Sequence, residues 1–177
     1  MKKKTLALVL ALTLLVAGVV GGTLAWLTDR TAEVKNTFTV GDINIGLTET
    51  TTDYKMVPGN TIAKDPTVTV KANSEACWLF VKVTKSENLD TFITYAIAEG
   101  WTALPGVDGV YYREVPASAA DQTFSVLADN AVTVKSDVTK EMLTAKDFAN
   151  PTLTFKAYAV QKDNVASASD AWAKVNP

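Results

Sequence analysis

The chain of 177 residues contains no histidine and a single cysteine. Without histidine there is no Ser-His-Asp or Cys-His catalysis, no His-containing zinc-protease site, and no usual general base near neutral pH. Carboxylates alone can still perform hydrolysis. Here, however, Asp29, Glu33, Asp42, Glu49, Asp53, Asp65, Glu87 and Asp90 are scattered singly, and no run has the spacing of a calcium loop. They read as solvated surface charge. No Gly-rich phosphate loop occurs either. The expectation is a protein that is not an enzyme and that holds no metal or cofactor.

A lone cysteine excludes an intramolecular disulfide. Cys77 falls in Cys77-Trp78-Leu79-Phe80-Val81-Lys82-Val83, where Cys77, Leu79, Val81 and Val83 share one strand face. It is expected to be a small buried hydrophobe rather than a reactive thiol. Strong positive charge is also lacking, since the formal net charge is −2. Nucleic acid and anionic lipid are therefore not expected partners.

Long apolar runs are confined to the beginning. Lys2, Lys3 and Lys4 precede an apolar stretch from Leu6 to Val20 that only Thr13 interrupts, and Gly18, Gly21 and Gly22 follow. Thr23-Leu24-Ala25 places small residues where a signal peptidase requires them, so residues 1–25 read as a signal helix cut between Ala25 and Trp26. The alternative is an uncleaved N-terminal anchor, because the apolar stretch nearly reaches the ~20 residues of a membrane span. Export to the cell surface or beyond is expected on either reading, with membrane contact only through this segment.

Removing residues 1–25 leaves 177 − 25 = 152 residues, with 17 − 3 = 14 basic against 19 acidic side chains, a net −5. A domain of that size can bury about 68–70% of its unfolded surface and needs no staple. An exported chain without disulfides suits a Gram-positive envelope.

Downstream, the pattern is that of strands. Residues 26–36 are weakly patterned and read as an extended arm or a first edge strand. A long strand over about 37–48 changes parity at Gly41-Asp42, the mark of a bulge. Tyr54 to Val57 reads as a strand end before the Pro58-Gly59 turn. Further strands are expected at 67–71, 77–84, 92–98, 110–115, 123–127, 131–135 and 152–160, with a loop at 88–91. Asp108-Gly109 is a hairpin signal. Thr139 to Asp147 could form a helical turn with Met142 and Leu143 on its apolar side. Ser167-x-x-Asp170 resembles a capping box before a short helix anchored by Trp172. About nine closely spaced strands with one or two short helices predict an all-β antiparallel sandwich over 37–177. Trp78, Trp101, Tyr111, Tyr112 and Trp172 read as core or cross-strand residues, or as a face for sugar.

The segment Gly21-Gly22-Thr23-Leu24-Ala25-Trp26-Leu27-Thr28-Asp29, followed by Asn36-Thr37-Phe38-Thr39-Val40-Gly41-Asp42-Ile43-Asn44-Ile45, resembles the start of the TasA/camelysin family. Val57 to Pro66 and Leu153 to Gln161 resemble its Pro-Gly segment and its last core strand, whereas residues 86–150 match only in general character. The resemblance implies cleavage by a SipW-type signal peptidase and a jelly-roll-like sandwich. It also implies assembly into extracellular biofilm fibres, the mature N-terminal strand of one subunit completing the sheet of the next. The donor strand would be Trp26 to about Asn36, with Trp26, Thr28, Arg30, Ala32 and Val34 on the parity that faces the acceptor. The partner would be a second copy or a related matrix subunit. The alternative is a monomeric extracellular module that binds polysaccharide or adheres to a surface. A metalloprotease activity ascribed to camelysin finds no residues here, for want of any histidine.

Overall fold

The computed structural model describes residues 42–51 and 54–175. The signal segment, the Ala25/Trp26 junction and the proposed donor residues Trp26 to Val34 lie outside the described residues. Among the described residues ten strands, all paired antiparallel, form three sheets, and only short helices accompany them.

β1 (Ile45–Thr48), β3 (Thr67–Val70) and β8 (Gln122–Ser125) form one sheet in the order β1-β3-β8. β2 (Thr61–Ala63), β5 (Ile93–Thr94) and β9 (Ala131–Val134) form a second, in the order β2-β9-β5. These two are successive parts of one bent ladder. β2 runs into β3 through Lys64-Asp65-Pro66, and β8 returns into β9. The corner is held by Lys64 N–H donating to the Asn130 carbonyl at 2.7 Å and Val126 N–H to the Pro66 carbonyl at 2.9 Å. Asp129 and Asn130 take positive φ there, a conformation that Asp and Asn tolerate best among residues with a Cβ.

The third sheet has the order β10-β4-β7-β6, built from β4 (Cys77–Lys85), β6 (Thr102–Ala103), β7 (Val110–Val115) and β10 (Leu153–Gln161). β4 is its centre and is buried on both faces, which is why its sequence is a near-continuous apolar run. Cys77, Leu79, Val81 and Val83 meet Val68 and Val70 of β3 in the main core, with Phe155 and Ala157 of β10 packed against them. Trp78 and Phe80 point the other way, to α3 (Ala168–Val175). There the Trp172 ring lies 5.3 Å from Phe80 and stands edge-on to Tyr158 at 5.2 Å. Ser167 caps α3 as expected: Asp170 N–H donates to Ser167 Oγ at 3.1 Å, and that hydroxyl donates to the Asp170 carboxylate at 2.6 Å.

A third cluster, Phe92, Val134 and Val138, lies under α1 (Leu89–Phe92) and α2 (Lys140–Leu143). Met142 and Leu143 face it, as their position in the sequence predicts. Several expectations are corrected. The strand expected over 92–98 is a two-residue β5 after α1, with an isolated bridge at Ile97, and the loop at 88–91 is mostly helix. Burial of Leu89 and Phe92, three positions apart, favours a helical turn there over alternation. Tyr54 to Val57 carries no strand, since Tyr54 and Met56 turn inward to a cavity instead of pairing. The Pro58-Gly59 turn forms, with Gly59 at φ +78 and Asn60 N–H donating to the Val57 carbonyl at 3.0 Å.

Candidate functional site

The feature with chemical consequence is a seam where two sheet edges, β10 and β1, come together. β10 is nine residues long and pairs with β4 along its whole length, with no neighbour on its other side among the described residues. Every second residue of such a strand directs its N–H and C=O away from the sheet. Neither proline nor a bulge interrupts the edge, and Lys156 is its one outward charge. Natural edges are usually blunted more heavily. Among the described residues β1 is likewise an edge, paired only with β3.

Beside the first residues of β10 lie two cavities, of about 430 Å³ and 310 Å³, which share Lys64, Leu153 and Thr154 in their walls. The smaller also meets β1, whereas the larger extends toward β2, β5 and β9. The larger mixes apolar side chains, Met56, Ile62, Leu89, Ile93 and Val132, with the polar Tyr54, Lys64, Asn150 and Thr152. The smaller continues past Leu47, Pro66 and Phe155. Leu47 is one of the few large apolar side chains left exposed.

Lys64 sits where the cavities meet. It is 8% exposed, and its Nζ lies 2.5 Å from Glu49 Oε1. Its ammonium also stands 4.8 Å from the Tyr54 ring centroid and 5.5 Å from that of Phe155. Two aromatic faces and one carboxylate thus offset its desolvation. The Tyr54 hydroxyl donates to Glu49 Oε1 at 2.7 Å, and burial together with that carboxylate holds it well above the usual tyrosine range. Asp65 accepts from Thr50 N–H at 2.9 Å and from the Thr50 hydroxyl at 2.5 Å, which lowers its pKa and ties the end of β1 to the corner before β3.

Chemically the outer edge of β10, unpaired among the described residues, offers backbone groups to an extended segment, and the two cavities at its start meet at one paired cation. No group of three His, Cys, Asp or Glu that could hold a metal ion occurs among the described residues. No helix among them is long and apolar enough to cross a membrane. Of the singled-out carboxylates, Glu49, Asp65 and Asp90 have partners across the fold, Asp42 accepts from Asn44 Nδ2, and Glu87 borders a separate open cavity. Asp29, Glu33 and Asp53 lie outside the described residues. Trp78 and Trp172 are core residues at 6% and 5% exposure, so they present no face to sugar, whereas Trp101 and Tyr111 are partly exposed. Sequence reasoning missed Lys64, whose Ala63-Lys64-Asp65-Pro66 context reads as an ordinary turn.

No family model, no curated protein and no solved structure matches the chain.

Proposed function

We propose that this chain is a secreted structural subunit of an extracellular matrix or cell surface, polymerising into fibres by N-terminal donor-strand exchange. On this reading the sheets form a jelly-roll-like sandwich, and a second copy or a related matrix subunit lends its strand Trp26 to about Asn36 to the next molecule. The observation that carries the reading is the nine-residue edge of β10, unpaired among the described residues, with two cavities at its start. An added strand gains a ladder of backbone hydrogen bonds and hollows for alternate side chains. The resemblance of residues 21–45 to the TasA/camelysin family supports the same reading, as do the apolar members Trp26, Ala32 and Val34 on one parity of the arm.

Export precedes assembly in this scheme. A SipW-type peptidase cuts after Ala25 and frees Trp26 as the leading residue of the donor. Protein beginning at Trp26 is expected to sediment as large oligomers and to give fibres in negative stain. Ala32→Pro removes one backbone donor from the middle of the arm. It should abolish polymerisation while leaving the melting temperature of the monomer unchanged. Loss of the fold in Ala32→Pro, or a wild-type protein that stays monomeric at all concentrations, would sink the proposal.

A further inference from the structure

A second strip of chemistry lies on β7, apart from the β1/β10 seam. Tyr111, Arg113 and Val115 alternate onto one face of that strand. The guanidinium carbon of Arg113 stands 3.9 Å from the Phe124 ring centroid and 5.4 Å from that of Trp101. A Cβ on Gly100 would come within 3.0 Å of Arg113 Nη2, so bare backbone closes over the group. Trp101 is itself fixed, its indole N–H donating to the Ser125 carbonyl at 2.8 Å. Arg113 Nε is buried with no hydrogen-bond partner, and none of the ion pairs among the described residues includes this arginine. A half-buried guanidinium with rings on its faces and no carboxylate at its edge is incomplete, because its in-plane donors are the ones that pair with oxyanions.

Two residues earlier, Tyr111 lines a cavity of about 400 Å³ together with Tyr95, Lys85, Asp90 and Lys135. Asp90 neutralises Lys85 at 2.5 Å. Lys135 instead donates to the Asp90 backbone carbonyl at 2.5 Å, which satisfies one proton, and its charge has no counter-ion among the described residues. Asp108 also acts on Lys85 and Tyr95 from nearby. The charged lining of this cavity, Lys85 and Lys135 against Asp90, sums to 2 − 1 = +1, in a chain whose total is −2. Nucleic acid would need a far more basic track. A cavity with tyrosine rings, a carboxylate and ammonium donors has the mixed stacking and hydrogen-bonding character that sugar rings use.

We propose that this strip binds a carboxylate-bearing saccharide, the sugar ring resting among Tyr95, Tyr111 and Asp90, and its carboxylates pairing with Lys135 and, further along β7, with Arg113. The inference is independent of strand exchange, since it uses neither β1 nor β10.

Calorimetric titration of the intact protein with an oligogalacturonate, its methyl ester, a neutral dextran oligomer and polyglutamate tests it. The oligogalacturonate should bind, more weakly as salt is raised, and the methyl ester about tenfold more weakly still. Lys135→Gln should also lose about tenfold in affinity without a change in unfolding midpoint, because Lys135 Nζ contacts only a backbone carbonyl. Arg113→Lys should weaken binding by removing the planar donor edge, and if that variant unfolds, Lys135→Gln still decides. No binding, equal binding of the methyl ester, or polyglutamate binding as tightly as the uronate would each overturn the proposal, the last in favour of an acidic protein partner.

Discussion

Lys64 and Glu49 stand fifteen positions apart in sequence, yet their charged atoms meet at 2.5 Å where the two cavities of the β1/β10 seam join. The contact links the residue after β1 to the corner between β2 and β3. It therefore fixes the course of the chain where the ladder bends.

Removing one partner of a well-buried pair strands the other charge. Lys64→Met is expected to cost about 3 kcal/mol, the lower part of the range for such pairs, since the Glu49 side chain retains 17% exposure. Lys64→Met with Glu49→Gln should recover most of that loss. Urea midpoints of the two single variants and the double variant give the coupling. Simple additivity would show that the contact carries no net energy.

Gly109 allows a close approach that no other residue could make. It has φ +68, and a Cβ there would sit 2.5 Å from the Val83 carbonyl oxygen. Val83 N–H also donates to the Gly109 carbonyl at 2.7 Å, so neither backbone can retreat without breaking that bond. Gly109→Ala should cost roughly 2 kcal/mol or more through strain and lost hydrogen bonding. Thermal unfolding of the variant checks the figure.

The thiol of Cys77 is fully buried, and burial pushes its pKa up to about 11 from an ordinary 9.0. The folded state then favours the protonated thiol. Its stabilising contribution is complete below pH 9 and is lost as pH rises from 9 to 11. Tyr54 and Tyr95, also raised by burial, act in the same direction above pH ~10. Unfolding midpoints should fall across this window, and Cys77→Ala should flatten the decline between pH 9 and 11. At pH 8 the wild-type thiol should react with a soluble disulfide reagent only on unfolding.

Trp172 holds α3 against the outer face of β4 and β10. Trp172→Ala removes its contacts with Phe80 and Tyr158 and should cost about 3–5 kcal/mol. Proteolysis should then begin within 162–175 at denaturant concentrations where wild type resists. A protected C-terminal segment in the variant would show that Trp78, whose indole N–H reaches the Val165 carbonyl at 3.2 Å, suffices to hold it.

Strand character, the buried face of β4, the Pro58-Gly59 and Asp108-Gly109 turns and the capped α3 were all legible in the sequence. Each depends on side-chain period or on φ preferences within a few residues, which the chain carries locally. The two-residue β5, the bent continuity of β2 with β3, and the helical turn at Leu89–Phe92 were not. Their pairing partners lie far along the chain, and short apolar stretches fit helix and strand alike. The same holds for the sites. Lys64 acquires Glu49 and two rings, and Arg113 acquires Trp101 and Phe124, only because distant strands arrive beside them. Sequence alone determined a β-rich chain with an apolar run behind three lysines at its beginning and no histidine chemistry. Which edges lie unpaired among the described residues, and which cations there meet a carboxylate, was decided by tertiary packing, because both depend on which distant segments are brought together.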